Sequence, residues 1–206
     1  MSFRSQHQFG AKEGRPFPGG FSRGTFLATP RGPRRVDALH PGDLVVTRTG
    51  GLQRVCLIWK HDPVDDAGSG HLIRLRTRAV GPMMPARPAT LAADQLILVP
   101  GYRIEGMGDT EAQLVEASEI AGAGGLAEIA DPEPLFLPIL SEQHIMIADG
   151  LFAASFRPGP AQVGALPEEQ RAELLDAMPD LMQNPWASTP VNFPHAKGIE
   201  LTACFS

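Results

Sequence analysis

The stretch from Gly20 to Val46, GFSRGTFLATPRGPRRVDALHPGDLVV, constrains this chain most. Phe21, Thr25, Phe26, Leu27 and Thr29 suit a pleated, half-buried surface. Pro30, Gly32 and Pro33 stop that run as a turn. Pro41-Gly42-Asp43 is a second turn, with proline suited to its first central position. Leu44-Val45-Val46 then resumes as a strand. The stretch reads as two short strands with a mobile link.

The rest of the chain repeats this grammar. Thr49-Gly50-Gly51 turns the chain back into Leu52–Trp59, a hairpin signal. His71–Val80 alternates apolar residues with Arg74, Arg76 and Arg78, a strand with one wet face. Leu96–Val99 is a compact buried strand closed by Pro100-Gly101. Leu135–Leu140 is β-like despite Pro138. His144–Ala148 runs into Asp149-Gly150, a hairpin turn. The exceptions are Glu111–Ile120, where Leu114, Val115 and Ala117 have helical spacing, and the segment after Leu166. There Pro167, Glu168 and Glu169 open a helix, with acids over its positive end. Leu174, Leu175 and Met178 give it an apolar stripe, and Pro179 stops it. Ile199–Phe205 reads as a last strand.

Composition narrows the function. With 18 Lys+Arg against 23 Asp+Glu, the net charge of -5 implies no general attraction to nucleic acid or to an anionic membrane. No apolar run approaches the ~18 residues a membrane helix needs. The N-terminus has no apolar core of the kind a secretory signal carries, so a cytoplasmic location is expected. Cys56 and Cys204 have no metal spacing, and Cys56 reads as a buried, inert thiol. His40, His61, His71 and His144 are scattered, with Asp62, Asp65 and Asp66 near one of them, and no pair has ligand spacing. No metal and no cofactor is expected. Charge is unevenly spread: residues 1–35 hold six Arg and one Lys against Glu13 alone. A solvated tail is one reading of this basic arm, and docking of an acidic protein partner is the other. Met83-Met84, in a proline-rich loop, is a second candidate contact.

The pattern GTFLATPRG-x-x-x-V-x-x-L-x-PGDLVVT resembles the opening of the Hint domain, the Hedgehog/intein autoprocessing fold, and in particular short bacterial Hint-like proteins. The resemblance implies a mostly β, compact Hint-like fold with a C-terminal helix and tail. Three segments follow: a flexible basic arm over 1–19, the β domain over 20–159, and helix plus extended tail over 160–206, packing on the β domain.

The family's reaction also sets chemical demands. A thiol or hydroxyl on the domain's first residue attacks the preceding carbonyl, and a histidine protonates the departing amide nitrogen. The nucleophile stands four residues before the Gly-Thr pair, and here that place is Gly20. The histidine belongs to an S/T-P-x-H-R or T-x-x-H run, matched on Val99–Arg103, which puts Tyr102 in its place. Tyrosine titrates near 10 and is a poor proton shuttle at neutral pH. The terminal pair of splicing members falls on Ala154-Ser155, so asparagine cyclisation is absent. His144 and Gly150 match the later motif. The expectation is a domain with degenerate catalytic positions, inactive in self-processing, that acts as a structural or protein-interaction module. The competing expectation is residual cleavage in which Ser22 attacks the Phe21 carbonyl with His144 as base.

Overall fold

The computed structural model describes residues 17–62, 71–108, 111–122, 125–182 and 193–201. In chain order the strands are β1 (Phe21–Ser22), β2 (Phe26–Leu27), β3 (Arg34–Arg35), β4 (Leu44–Thr47), β5 (Gly51–His61), β6 (Leu72–Leu75), β7 (Ala89–Ala92), β8 (Leu96–Val99), β9 (Gln113–Glu116), β10 (Ala127–Ala130), β11 (Leu135–Leu140), β12 (Ile145–Ala148) and β13 (Leu151–Ala154). The helices are α1 (Ala117–Gly122), α2 (Pro160–Gly164) and α3 (Glu168–Ala177).

The long strand β5 is the spine. Its first half pairs with β4, from Thr47↔Gly51 to Leu44↔Arg54. Its second half pairs with β11, from Leu140↔Val55 to Leu135↔His61. Around it one continuous ribbon runs β10-β6-β7-β1-β11-β5-β4-β12-β13-β8-β9, with β2 and β3 attached beside β12. The opening stretch and the 135–156 region therefore share one β layer: β1 pairs with β11, and β2 and β4 pair with β12. Pro138 is tolerated because β1 pairs only with Leu135 and Phe136, so β1 does not lie opposite Pro138. The main core lies inside the curled ribbon, with Leu27, Val45, Leu75, Leu91, Ile97 and Met146 among its buried members.

A second core forms outside. Leu57 and Trp59 of β5 and Leu137 and Ile139 of β11 face Val163, Leu166, Leu174, Met178 and Leu181. A bulge in β5 explains this: the register passes from Leu140↔Val55 to Ile139↔Leu57, so Val55 enters the main core, whereas Leu57 and Trp59 meet the C-terminal helices. Phe17 is fully buried in the same layer, its ring 4.7 Å from Trp59 and 5.3 Å from Phe156. Residues 17–19, assigned to the arm from their Pro/Gly content, are thus anchored by one aromatic side chain; the remainder of the arm lies outside the described residues.

Three local readings need correction. The Phe21–Thr29 run is two two-residue strands separated by a turn in which the Thr25 amide donates to Ser22 O at 3.0 Å. The strand beginning at Leu72 ends at Leu75, and Arg78 takes a positive φ of 64°. Glu111–Ile120 is a strand followed by a short helix: Gln113–Glu116 pairs residue by residue with Val99–Leu96. The outer side of β8 needs a strand to satisfy its backbone, and that tertiary demand overrides the weak helical spacing. Of the expected last strand, Leu201 bridges to Ile104, and residues 202–206 lie outside the described set.

Candidate functional site

Gly20 sits where the chain enters the ribbon. The next two residues are fixed by pairing: Phe21 lies between Phe136 and Leu91, and Ser22 opposes Leu135. The Gly20 carbonyl accepts from the Ala92 amide at 2.9 Å. Its own N–H donates to Gln95 Oε1 at 2.9 Å, and the Gly19 N–H donates to Asp94 Oδ1 at 3.1 Å. Gly20 has φ +123°, and a Cβ there would stand 3.2 Å from Leu135 Cβ and 3.3 Å from His61 Cε1. The positive φ favours glycine here, and a side chain would press on Leu135 and His61.

Gln95 is 2% exposed. Its Nε2 donates to the carbonyls of Leu96 at 3.1 Å and Ala154 at 2.9 Å. With the Gly20 N–H on the oxygen and two carbonyls on the nitrogen, the network fixes the orientation of the amide group. One side chain thus ties the beginning of the β domain to its end. Beside it a cavity of about 20 Å³, lined by Pro18, Asp94, Gln143, Ala154 and Ser155, has room for one water. The group facing the Gly20 amide nitrogen is a carboxamide oxygen, which accepts a hydrogen bond from it.

The residues singled out from sequence lie in different surroundings. Tyr102 is half exposed, on a short 3-10 turn, with its hydroxyl over Gly81. The side chain that meets the Gly20 N–H is Gln95, four residues before the start of the Val99–Arg103 run. The signal for it was a polar Asp94-Gln95 pair abutting the apolar strand Leu96–Val99. Ser22 is buried on β1, its neighbours being Leu135, Thr25 and Gly24. His144 immediately precedes β12 and packs on the β4–β5 turn. Its Nδ1 is 3.3 Å from Thr49 Oγ1, its Nε2 is 3.6 Å from Glu142 Oε2, and its ring packs so closely on Gly50 that a Cβ there would overlap it. Its backbone exchanges hydrogen bonds with Ser155, N–H to Oγ and C=O from N–H, both 2.8 Å. The same Thr49 hydroxyl accepts the Ile145 amide at 3.1 Å. These contacts make His144 a fastener between a turn and two strands. The histidine near position 20 is His61, which sequence reading treated only as a scattered metal candidate. Register brings it there, through His61↔Leu135 and Leu135↔Ser22. Among the described residues no cluster of His, Cys, Asp and Glu could hold a metal ion.

A second polar clamp holds the same opening stretch farther along. Asp149 Oδ2 accepts the Phe26 amide at 3.2 Å, and the carboxylate pairs with Arg87, whose guanidinium lies 3.9 Å over the Phe26 ring. Burial pushes the Asp149 carboxyl above the ordinary carboxylate range, against the opposite pull of Arg87 and of the Phe26 amide. Gly150, at φ +86°, follows; a Cβ there would lie 2.6 Å from the Met83 carbonyl. Burial likewise raises the Cys56 thiol, which removes thiolate character at neutral pH.

Fold and site together define an all-β domain whose first strand is inserted centrally beside β11 and pinned by side chains from the strands around it. The chain belongs to the Hint domain family, which matches residues 19–160. Among solved structures it is similar to the gp41-1 intein, at 14% identity and a TM-score of 0.42 over 68% of this chain and 98% of that one. It is also similar to the bacterial intein-like domain from Clostridium thermocellum, at 11% identity and a TM-score of 0.38 over 67% and 98% of the two chains. The MchDnaB-1 intein aligns at 11% identity and a TM-score of 0.40 over 66% and 99%. No curated protein matches the chain. No helix among the described residues is long and apolar enough to cross a membrane.

Proposed function

We propose that this Hint domain does not process itself and serves as a structural or protein-interaction module. One observation carries the reading: the Gly19–Gly20 peptide, where the family's cleavage would fall, has glycine at the nucleophile position and Gln95 as acceptor for its N–H. Nucleophilic attack needs a thiol or hydroxyl, and expulsion of the amide needs a proton donor. Neither group stands at its place. The spaces around Gly19 and Gly20 are filled, since a Cβ on Gly19 would lie 2.7 Å from Gln95 Oε1. Ser22 with His144 has no comparable support, because the histidine's contacts bind it to Thr49, Gly50 and Ser155.

The interaction half of the reading rests on charge. The basic arm and the arginines that follow it would draw an acidic partner to one end of an otherwise acidic chain. Capture of interacting proteins by the full chain, compared with a chain starting at Phe17, tests the arm. Loss of a partner on removal supports docking through it. An unchanged set of partners leaves the arm out of the contact. Intact mass of the purified chain tests the silent half.

A further inference from the structure

We propose that the groove between the Thr29–Arg34 turn and the Leu39–Leu44 turn is a docking site for an acidic, leucine-bearing extended peptide of a partner protein. This names a surface and a ligand class for the interaction reading and rests on that reading. It does not depend on the arm preceding Phe17.

The groove has a volume of about 480 Å³ and lies open on the surface. That size is in the range of ordinary ligand sites. Its wall is apolar: Pro30, Pro33, Leu39 and Leu44 line it, and Leu44 is 38% exposed. Leu44 opposes Arg54 and Val46 opposes Leu52 on the β4–β5 hairpin, so the 53%-exposed Leu52 extends the apolar surface along the same face. Exposed leucines on one strand face are a departure from the polar outer side such a hairpin normally shows.

The rim is cationic. Its charged lining is Arg31 and Arg34 with one aspartate, Asp43. Arg34 lies 3.0 Å from Asp43, which leaves Arg31 as the excess cation. Arg54 donates to the Gly42 carbonyl at 3.2 Å, which stiffens the groove wall. Arg31 lines the groove with its guanidinium uncommitted among the described residues; only its backbone N–H is bonded, to Thr29 Oγ1. An Arg31 guanidinium beside bare leucine and proline surface matches a carboxylate next to an aliphatic side chain. An inorganic anion would leave the apolar wall uncovered. Nucleic acid would want an aromatic stacking platform, and no aromatic side chain lines the groove. A peptide with alternating acidic and leucine residues satisfies wall and rim together.

The test uses the full chain and fluorescein-labelled hexapeptides: Glu-Leu repeats, Lys-Leu repeats and Glu alone. Inorganic phosphate serves as competitor. The Glu-Leu peptide is expected to bind at micromolar Kd and to weaken at raised salt. Glu alone and Lys-Leu should bind at least tenfold more weakly, and phosphate should not displace the probe. Arg31→Glu and Leu44→Ser, both at exposed positions, should each lower affinity at least tenfold with Tm unchanged. Binding that ignores both substitutions, equal binding of the Lys-Leu peptide, full displacement by phosphate, or no binding at 1 mM would overturn the proposal. A fragment in the intact mass would defeat the silent-domain reading and leave this result standing.

Discussion

The opening stretch is held by two buried clamps that do the same job with different chemistry. At one end a neutral side chain, Gln95, accepts the Gly20 amide. At the other a carboxylate, Asp149, accepts the Phe26 amide and pairs with Arg87. The neutral clamp has every polar atom partnered by backbone, so it has no proton to exchange and no charge to shield. The charged clamp costs desolvation, which shows as the raised Asp149 carboxyl. Of the two clamps, the one at Gly20 is the one without charge.

The strongest break in the comparison is backbone, on the charged side. Gly150→Ala forces a Cβ toward the Met83 carbonyl at a positive φ. It should lower stability by about 3 kcal/mol, from strain plus displaced turn packing. Denaturant unfolding measures it. Next comes Gln95→Ala, which orphans the Gly20 N–H and the Ala154 carbonyl. A loss of roughly 2–3 kcal/mol is expected, since a buried polar group left without its partner costs ~1–3 kcal/mol. Gln95→Glu should lose a similar amount despite its shape, because both carbonyls then face an acceptor.

The smallest effect sharpens the contrast most. A group whose folded-state pKa lies above its unfolded value contributes stability in full below the unfolded value. That contribution is lost as pH rises through the folded one. Asp149 is such a group. The stability of the native chain relative to Asp149→Asn should therefore fall as pH climbs from the usual carboxylate range through the raised Asp149 value. The deficit of Gln95→Ala should stay flat over the same range. Thermal unfolding of the three chains across pH 4–7 reads both. Parallel profiles would remove the distinction between the clamps.

How much of this was legible differs by residue. The opening motif was readable because its turns are written in proline and glycine and its strands in aromatic and β-branched residues. Gly20 was readable by counting back from Gly24-Thr25. The partner of its amide was not, because which side chain faces a backbone N–H depends on how β7 turns into β8, a matter of three-dimensional register. Sequence spacing pointed to Tyr102 as the family's histidine position, and the side chain on the Gly20 N–H is Gln95. Leu114 and Val115 misled for a related reason: two adjacent apolar residues suit a helix or a strand, and only the open side of β8 decides. Phe17 was hidden by its Pro/Gly surroundings, although one aromatic next to Pro16 and Pro18 is enough to anchor a tail end.

Treatment of the purified full chain with neutral hydroxylamine, followed by intact mass, tests the central claim most directly. Any thioester or ester formed at the start of the β domain would be trapped as a break in the chain. The account predicts one unbroken mass before and after treatment, over days. A fragment beginning at Gly20 or at Ser22 would contradict it.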